Sequence, residues 1–329
     1  MINPNIHLNK KLFEEDTDRA PTRNGFGEGV VEAGKEDKNV VVLCADLADS
    51  TRASWFQKEF PDRYVELGVA EQNLVSVGSG FAAAGKIPFV ASYAAFNPGR
   101  NYEQIRTTVA LNEQPVKICG MHAGVSVGPD GATHQMLEDI GLMRMLPNMV
   151  VLYPADAEEA RKAVIAAAQN GKPTYLRFAR EKTPLMTTND TPFSIGTSYM
   201  MWESSKPDVA IIGCGPLLHE ALKAARMLEE KGIAVSVLNS HTIKPLDEKS
   251  VLEAAQTAGA VVTVEEHQAA GGFGSVVAEF LSSTHPVPIE RVGVQDIFGQ
   301  SGDPEELITQ YGLDATAIVA AVERAQSRK

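Results

Sequence analysis

Short runs of Val, Ile and Leu alternate along the whole chain with Ala-rich stretches of helical amphipathic period, and this alternation constrains the fold more than any other feature. Apolar runs without an in–out period have to be covered on both faces, which parallel sheets achieve by laying helices over each side. In the first half, strands are expected at Val40–Cys44, Tyr64–Gly68, Phe89–Ser92, Val116–Gly120, Val150–Tyr153 and Thr174–Phe178, and helices at Arg23–Lys35, Glu71–Ala84, Asn101–Leu111 and Ala157–Asn170. From Pro184 to Lys206 the period gives way to Thr, Ser, Pro and Asn, the composition of a domain boundary. Strands at Val209–Gly213, Ala234–Asn239, Ala260–Glu265 and Ile289–Val294 then alternate with helices at Leu218–Lys231, Lys249–Ala258, Gly274–Ser282 and Ala315–Gln326. With 329 residues, more than one core usually holds, the expected class is α/β in two domains, residues 1–190 and 191–329. Each is expected to be a mostly parallel sheet flanked by helices.

Charge and cysteine usage narrow the function. A net charge of −12 argues against a nucleic-acid surface, so an anionic substrate has to be caught by a local cluster of cations. No apolar run approaches the length of a membrane span, and the opening MINPNIHLNKKLF lacks a greasy segment, which points to a cytoplasmic protein with no membrane partner. Cys44, Cys119 and Cys214 stand far apart in apolar contexts and read as buried thiols. No two of the seven histidines have metal-ligand spacing, so no metal site is expected on this chain. Gly213-Cys214-Gly215, between a strand and a helix, imitates a dinucleotide turn, but the third glycine's place is taken by Leu218 and the next strand ends on Asn239-Ser240 without a ribose-binding acid.

The chemistry concentrates between Tyr64 and Asp139. In YVELGVAEQNLVSVGSGFAAAGK, Glu71 stands where a strand turns into a helix rich in Val, Leu, Ala and Gly, expected to be buried on all sides. A carboxylate there is either a helix-end charge or a buried functional group. Ser92-Tyr93-Ala94-Ala95-Phe96 then places two aromatics three apart among small residues at a strand end, as core filling or as a ring pocket. Finally, HAGVSVGPDGATHQ sets His122, Asp130 and His134 on a glycine-rich loop after a strand, where open α/β sheets place ligand groups.

In this order, LGVAEQN, SYAAF and GVSVGPDGATHQ resemble the transketolase family, and the likeness continues through LEDIGLMRMLPNMVVLYPAD, HEALKAARMLEEKGIAVSVLNSHTIKPLD, VVTVEEHQAAGGFGSVVAEFL and SGDPEELITQYGL. The resemblance covers nearly the whole chain and implies a pyrimidine-binding domain followed by a transketolase C-terminal domain. It implies thiamine diphosphate as cofactor, with Glu71 hydrogen-bonding ring nitrogen N1′ and its apolar surroundings favouring the protonated carboxyl. Tyr93 and Phe96 match the residues that pack on the aminopyrimidine ring; a third aromatic is left open because NPGRNY differs from the family by about one residue. His122, Asp130 and His134 match contacts to substrate hydroxyls and the oxyanion, and Arg23, Ser50, His122 and Arg180 match those to the substrate phosphate. Arg177 and Arg52 are the neighbouring alternatives as phosphate ligands.

Family members also carry an amino-terminal domain whose Gly-Asp-Gly motif holds the diphosphate and a divalent metal. This chain has no such motif and opens a short way before the pyrimidine-binding domain. The resemblance therefore implies a split gene product: a homodimer of this chain inside an α2β2 heterotetramer, the partner supplying the motif and the Mg2+ or Ca2+. The expected reaction is transfer of a two-carbon ketol unit between sugar phosphates of the pentose phosphate pathway. Deoxyxylulose-phosphate synthase and the β-subunit of a 2-oxo acid dehydrogenase are related alternatives, disfavoured by Arg23, Ser50, Arg180 and EEHQAAGGFGS. A non-catalytic scaffold would not need Glu71, Asp130 and His134 together.

Overall fold

Val40–Cys44 is buried at every residue, as are Lys117–Met121 and Thr174–Arg177, so each must lie inside a sheet covered on both faces. The computed structural model describes residues 1–329 and builds these runs into a seven-stranded sheet. Its order is Thr242–Lys244, Val150–Leu152, Thr174–Arg177, Lys117–Met121, Ile87–Tyr93, Val40–Cys44 and Tyr64–Glu66, all parallel except the first. A second, five-stranded sheet runs Ile289–Val294, Val261–Gln268, Val209–Gly213, Val235–Asn239 and Tyr199–Trp202, with only the last antiparallel to its neighbour. Four neighbouring strands of the first sheet thus end side by side, and the residues just past their carboxyl ends form one rim, the usual ligand edge of open α/β sheets.

The two halves exchange segments. Thr242–Lys244, from the second half, closes an edge of the first sheet against Val150–Leu152. In return the amino terminus packs on the second sheet: Asn3 N–H donates to Met201 O at 3.0 Å, and Leu8 and Leu12 are buried in that sheet's core. An apolar cluster including Leu74, Met143, Ala210, Ala254 and Phe273 runs between the sheets without interruption. The three cysteines are free and buried. No helix is long and apolar enough to cross a membrane.

Two helices differ from expectation. Glu71–Ala83 buries Glu71, Leu74, Val75, Gly78 and Ala82, but Gln72, Asn73 and Ser76 are exposed, so it is amphipathic rather than buried all round. The polar residues at 72, 73 and 76 recur at helical spacing and define the solvent face. The continuous helix expected over Asn101–Leu111 is a short turn, Tyr102–Gln104, followed by a π-type stretch, Ile105–Ala110. There the hydroxyls of Thr107 and Thr108 donate back to the carbonyls of Glu103 and Gln104, bonds that loosen a regular helical ladder.

Helix Thr22–Glu36 lies against Ala157–Gln169 so closely that a Cβ on Gly25 would sit 2.0 Å from the carbonyl oxygen of Ala157. Glycine permits that approach and with it the placement of Arg23 at the helix start. A buried ion pair fixes the segment that follows Lys117–Met121. Arg177 Nε donates to Asp139 Oδ2 at 2.7 Å with both side chains fully buried, and Arg177 Nη2 reaches the carbonyls of Met136 and Glu266. Tyr175 donates to the same carboxylate at 2.6 Å. Removing one member of a buried pair leaves an uncompensated charge, so Asp139→Ala should lower unfolding stability by about 3–5 kcal/mol in urea titration. A loss below about 1 kcal/mol would show that the pair does not hold this junction together.

Candidate active site

Tyr93 ends one of four strands that are consecutive in the order of the first sheet, and Ser50, His122 and Arg180 follow the other three, while Arg23 lies in the first turn of the helix Thr22–Glu36. Arg23 Nη1 donates to the Ser50 carbonyl at 2.8 Å and lies 3.0 Å from His122 Nε2. A guanidinium can only donate, so His122 Nε2 accepts and the ring proton sits on Nδ1. That Nδ1 is buried without a partner, and so is Arg23 Nε. Buried donors left open at the base of a site demand an acceptor, and a ligand oxygen meets the need. Burial pushes the His122 imidazolium down to about 3, helped by Arg23, Arg180 and Arg52. Burial likewise lowers Arg23, with repulsion from Arg52 and Arg180 adding to it. Of these three guanidiniums only Arg180 has a carboxylate partner, Glu181, so they form a local cluster of cations in an acidic chain.

Arg180 is half-buried; its Nη1 donates to the Val127 carbonyl at 2.9 Å and to Glu181 Oε1 at 3.1 Å. Arg23, Arg52 and Arg180 line a cavity of about 1170 Å³ between the two halves, whose far wall includes His219, Lys223 and Asp303. Arg177 is fully buried in its pair with Asp139, so of the two neighbouring arginines Arg180 is the one that reaches the cavity.

Tyr93 joins this anion site to an aromatic one. Its hydroxyl and the Ser50 hydroxyl are 2.6 Å apart. Its ring meets His122 edge-on at 4.0 Å and lies nearly parallel to Phe96 at 6.2 Å between centroids. The His134 ring stands edge-on to Phe96 at 5.4 Å and to Tyr93 at 6.1 Å, with its Nδ1 2.9 Å from the Thr133 hydroxyl. Asp130, on the same loop, is exposed and makes no hydrogen bond or ion pair within the chain, so the fold does not gather it into this cluster. No third Phe, Tyr or Trp ring joins Tyr93 and Phe96; the guanidinium of Arg100 lies over Phe96 instead, 4.5 Å from its centroid.

Glu71 is buried at the first position of its helix, as the strand-to-helix turn implies, but its surroundings are not apolar. Arg100 Nη1 donates to Glu71 Oε2 at 2.6 Å, and Ser92 Oγ lies 3.4 Å from Oε1. The expectation of an apolar setting fails because Arg100 is distant in sequence and reaches back through the NPGRNY turn. Glu266, from the second half, escapes a sequence reading as well: its Oε1 accepts from Ser126 N–H at 2.7 Å, holding the His122–His134 loop from the far side. The adjacent acids in VEEHQ are its only signal. No group of three or more His, Cys, Asp or Glu side chains could hold a metal ion. The chemistry of Glu71, Tyr93 and Phe96 suits a flat heteroaromatic ring, although Arg100 now stands on Glu71 and over Phe96, and a phosphorylated or hydroxylated ligand fits the open donors of His122 and Arg23.

A two-half parallel α/β chain, with an aromatic pocket beside a cluster of cations at its strand ends, is the class that fold and site define. Residues 18–186 match the transketolase pyrimidine-binding domain and residues 198–318 the transketolase C-terminal domain. A protein of Methanocaldococcus jannaschii, named for a transketolase C-terminal section, is 41% identical over 91% of this chain and 94% of its own length. Transketolase of Rattus norvegicus is 38% identical over 93% of the chain, which spans 49% of that longer protein. A solved structure described as a split gene transketolase, inactive beta4 tetramer, superposes with a TM-score of 0.88 at 44% identity over 94% of this chain and 99% of its own. The chain belongs to the transketolase family and corresponds to its C-terminal half.

The neutral state of His122 has a measurable consequence. Its folded value near 3 lies below the ordinary value of 6.5, so the unfolded chain takes up this proton first. The residue's contribution to stability is full above pH 6.5 and is lost as pH falls towards 3. The buried His241 and His267 act in the same direction. His122→Gln should therefore flatten the decline in unfolding free energy between pH 6.5 and 4.5 by about 2 kcal/mol relative to the unsubstituted chain. Parallel declines would show that the histidine is solvated and free to protonate.

Proposed function

We propose that this chain is the C-terminal subunit of a split, thiamine-diphosphate-dependent transketolase that moves a two-carbon ketol unit between sugar phosphates, as in the pentose phosphate pathway. The observation that carries the reading is the junction at Tyr93, whose ring faces Phe96 in the aromatic pocket while its hydroxyl bonds Ser50 of the anion site. A cofactor ring and a substrate phosphate would thus be held on one rim. Relatives of matching length support a subunit: the 6-deoxy-6-sulfo-D-fructose transketolase subunit SqwH of a Clostridium species is 37% identical over 96% of this chain and 98% of its own. One subunit of the apulose-4-phosphate transketolase of Phocaeicola vulgatus is 36% identical over 90% of the chain and 94% of its own. The two units are taken as residues 1–190 and 191–329, and the location as cytoplasmic.

When bound, thiamine diphosphate would supply a nucleophilic thiazolium carbon for ketol transfer. Glu71 shares a proton with N1′ of its aminopyrimidine, and Tyr93 and Phe96 hold the ring by stacking and packing. His122, neutral with its proton on Nδ1, donates to a substrate oxygen, joined by His134 at the developing oxyanion. Asp130 accepts from a substrate hydroxyl. Arg23, Ser50 and Arg180 grip the terminal phosphate, where guanidinium forks give charge-assisted bonds. The diphosphate and its Mg2+ or Ca2+ fall to a partner subunit with a Gly-Asp-Gly motif, assembled with a dimer of this chain as an α2β2 heterotetramer.

In the reconstituted enzyme, Glu71→Gln should assemble normally and lose most activity at saturating cofactor, because an amide cannot hand a proton to N1′. An unchanged rate would remove Glu71 from this role. Arg180→Ala should raise KM for phosphorylated donors and leave an unphosphorylated donor such as hydroxypyruvate nearly untouched. A charge-assisted contact is worth about 1.5–3 kcal/mol, or one to two powers of ten in kcat/KM. Equal losses with both donors would count against a phosphate role for Arg180.

A further inference from the structure

Arg100 touches two of the three groups that the proposed function assigns to the cofactor ring, Glu71 and Phe96. Its Nη1 donates to Glu71 Oε2 at 2.6 Å, and its guanidinium lies 4.5 Å above the Phe96 ring. The carboxylate is 1% exposed and the arginine 47% exposed, so the pair is a buried anion capped by a cation that solvent can reach. A guanidinium is flat, donates in its plane and stacks on aromatic faces. It therefore makes at Glu71 and Phe96 the same two kinds of contact that an aminopyrimidine ring would make. Both cannot be there at once.

The backbone under Arg100 is fixed, whereas its side chain is half exposed. Asn97 Nδ2 donates to the carbonyls of Val90 and Cys119, and Asn101 Nδ2 donates to Asn97 Oδ1 and to the Glu71 carbonyl, all inside the fold. Between them, a Cβ on Gly99 would stand 2.2 Å from the Ala95 carbonyl oxygen, so this turn tolerates no bulk. The segment is clamped on both sides of Arg100, and the guanidinium is the part able to swing outward.

Given the assignment of Glu71 and Phe96 to thiamine diphosphate, we propose that Arg100 is a positioning residue that occupies the ring pocket of the cofactor-free chain and has to leave for the cofactor ring to enter. Paired with Arg100, the Glu71 carboxyl is an anion; hydrogen-bonded to the acceptor nitrogen N1′, it carries a proton. Ring entry accordingly exchanges an ion pair for a neutral hydrogen bond and takes one proton from solvent per site. Arg100 thus lowers cofactor affinity.

Calorimetry of thiamine diphosphate binding to the reconstituted enzyme, run at one pH in two buffers of different ionisation enthalpy, reads affinity and proton uptake together. Arg100→Met, which keeps the stem over Phe96, should bind about tenfold more tightly and take up markedly fewer protons, because an unpaired buried carboxyl is already protonated. Arg100→Lys restores the charge and should return both quantities towards the unsubstituted values. Weaker binding by Arg100→Met would mean that the arginine supports the ring, and an unchanged affinity and proton count would mean that it is structural; either overturns the proposal. A second measurement needs no cofactor: the infrared difference against Glu71→Gln reports the Glu71 carboxyl in the chain alone, expected ionised with Arg100 and protonated in Arg100→Met. A protonated carboxyl in the unsubstituted chain would also overturn the proposal. An ionised carboxyl together with no thiamine diphosphate binding by any reconstituted form would instead overturn the thiamine reading, and with it Arg100's role against the ring, leaving only the ion pair.

Discussion

The pair between Arg177 and Asp139, sealed from solvent, ties together three parts of the fold that border the site. Arg177 ends a central strand, Asp139 begins the helix after the His122–His134 loop, and the second guanidinium nitrogen reaches the Glu266 carbonyl in the other half. One charge pair therefore registers a strand end, a ligand-bearing loop and the neighbouring unit. Two charges out of water are tolerable only where further bonds offset their desolvation; Tyr175 and the Met136 carbonyl add such bonds here, while Asp139 Oδ1 and Arg177 Nη1 stay without a partner. Glu266 continues the same linkage by accepting from Ser126 with its side chain. The second half thus sets the position of the loop that carries His122 and His134.

Electrostatics explain how a chain of net charge −12 can present an anion site. Arg23, Arg52 and Arg180 converge at the cavity between the halves, and their mutual repulsion is borne by carbonyls of Ser50, Asp49 and Val127 rather than by ion pairs in the pocket, Glu181 excepted. Carbonyl partners orient a guanidinium without cancelling its charge. The unpaired Nδ1 of His122 and Nε of Arg23 are the same device in smaller form, donors held dry and aimed before a ligand arrives.

Much of this is legible in the sequence because it depends on local pattern. Val40–Cys44, Val209–Gly213 and Ile289–Val294 have the expected bounds, since unbroken apolar runs between turn signals mark buried parallel strands. Tyr199–Trp202 reads as linker because an antiparallel edge strand in a Thr- and Ser-rich stretch has no period of its own. Thr242–Lys244 escapes notice because its partner lies in the other half. The proposed ring and anion residues come from family motifs, and the fold links Arg23, Ser50, Tyr93 and His122 by direct contacts. What pattern cannot supply is pairing at a distance: Arg100 on Glu71, Glu266 behind the loop, and the solvent face of Glu71–Ala83.

The central claim is that half a cofactor site resides here and the other half on a partner. Calorimetric titration of thiamine diphosphate with Mg2+ into this chain alone, and into its mixture with a partner chain that carries the Gly-Asp-Gly motif, tests that claim most directly. The account predicts tight, metal-dependent binding and ketol transfer in the mixture and neither in the chain by itself. Tight, metal-dependent binding by the isolated chain, or none in the mixture, would contradict it.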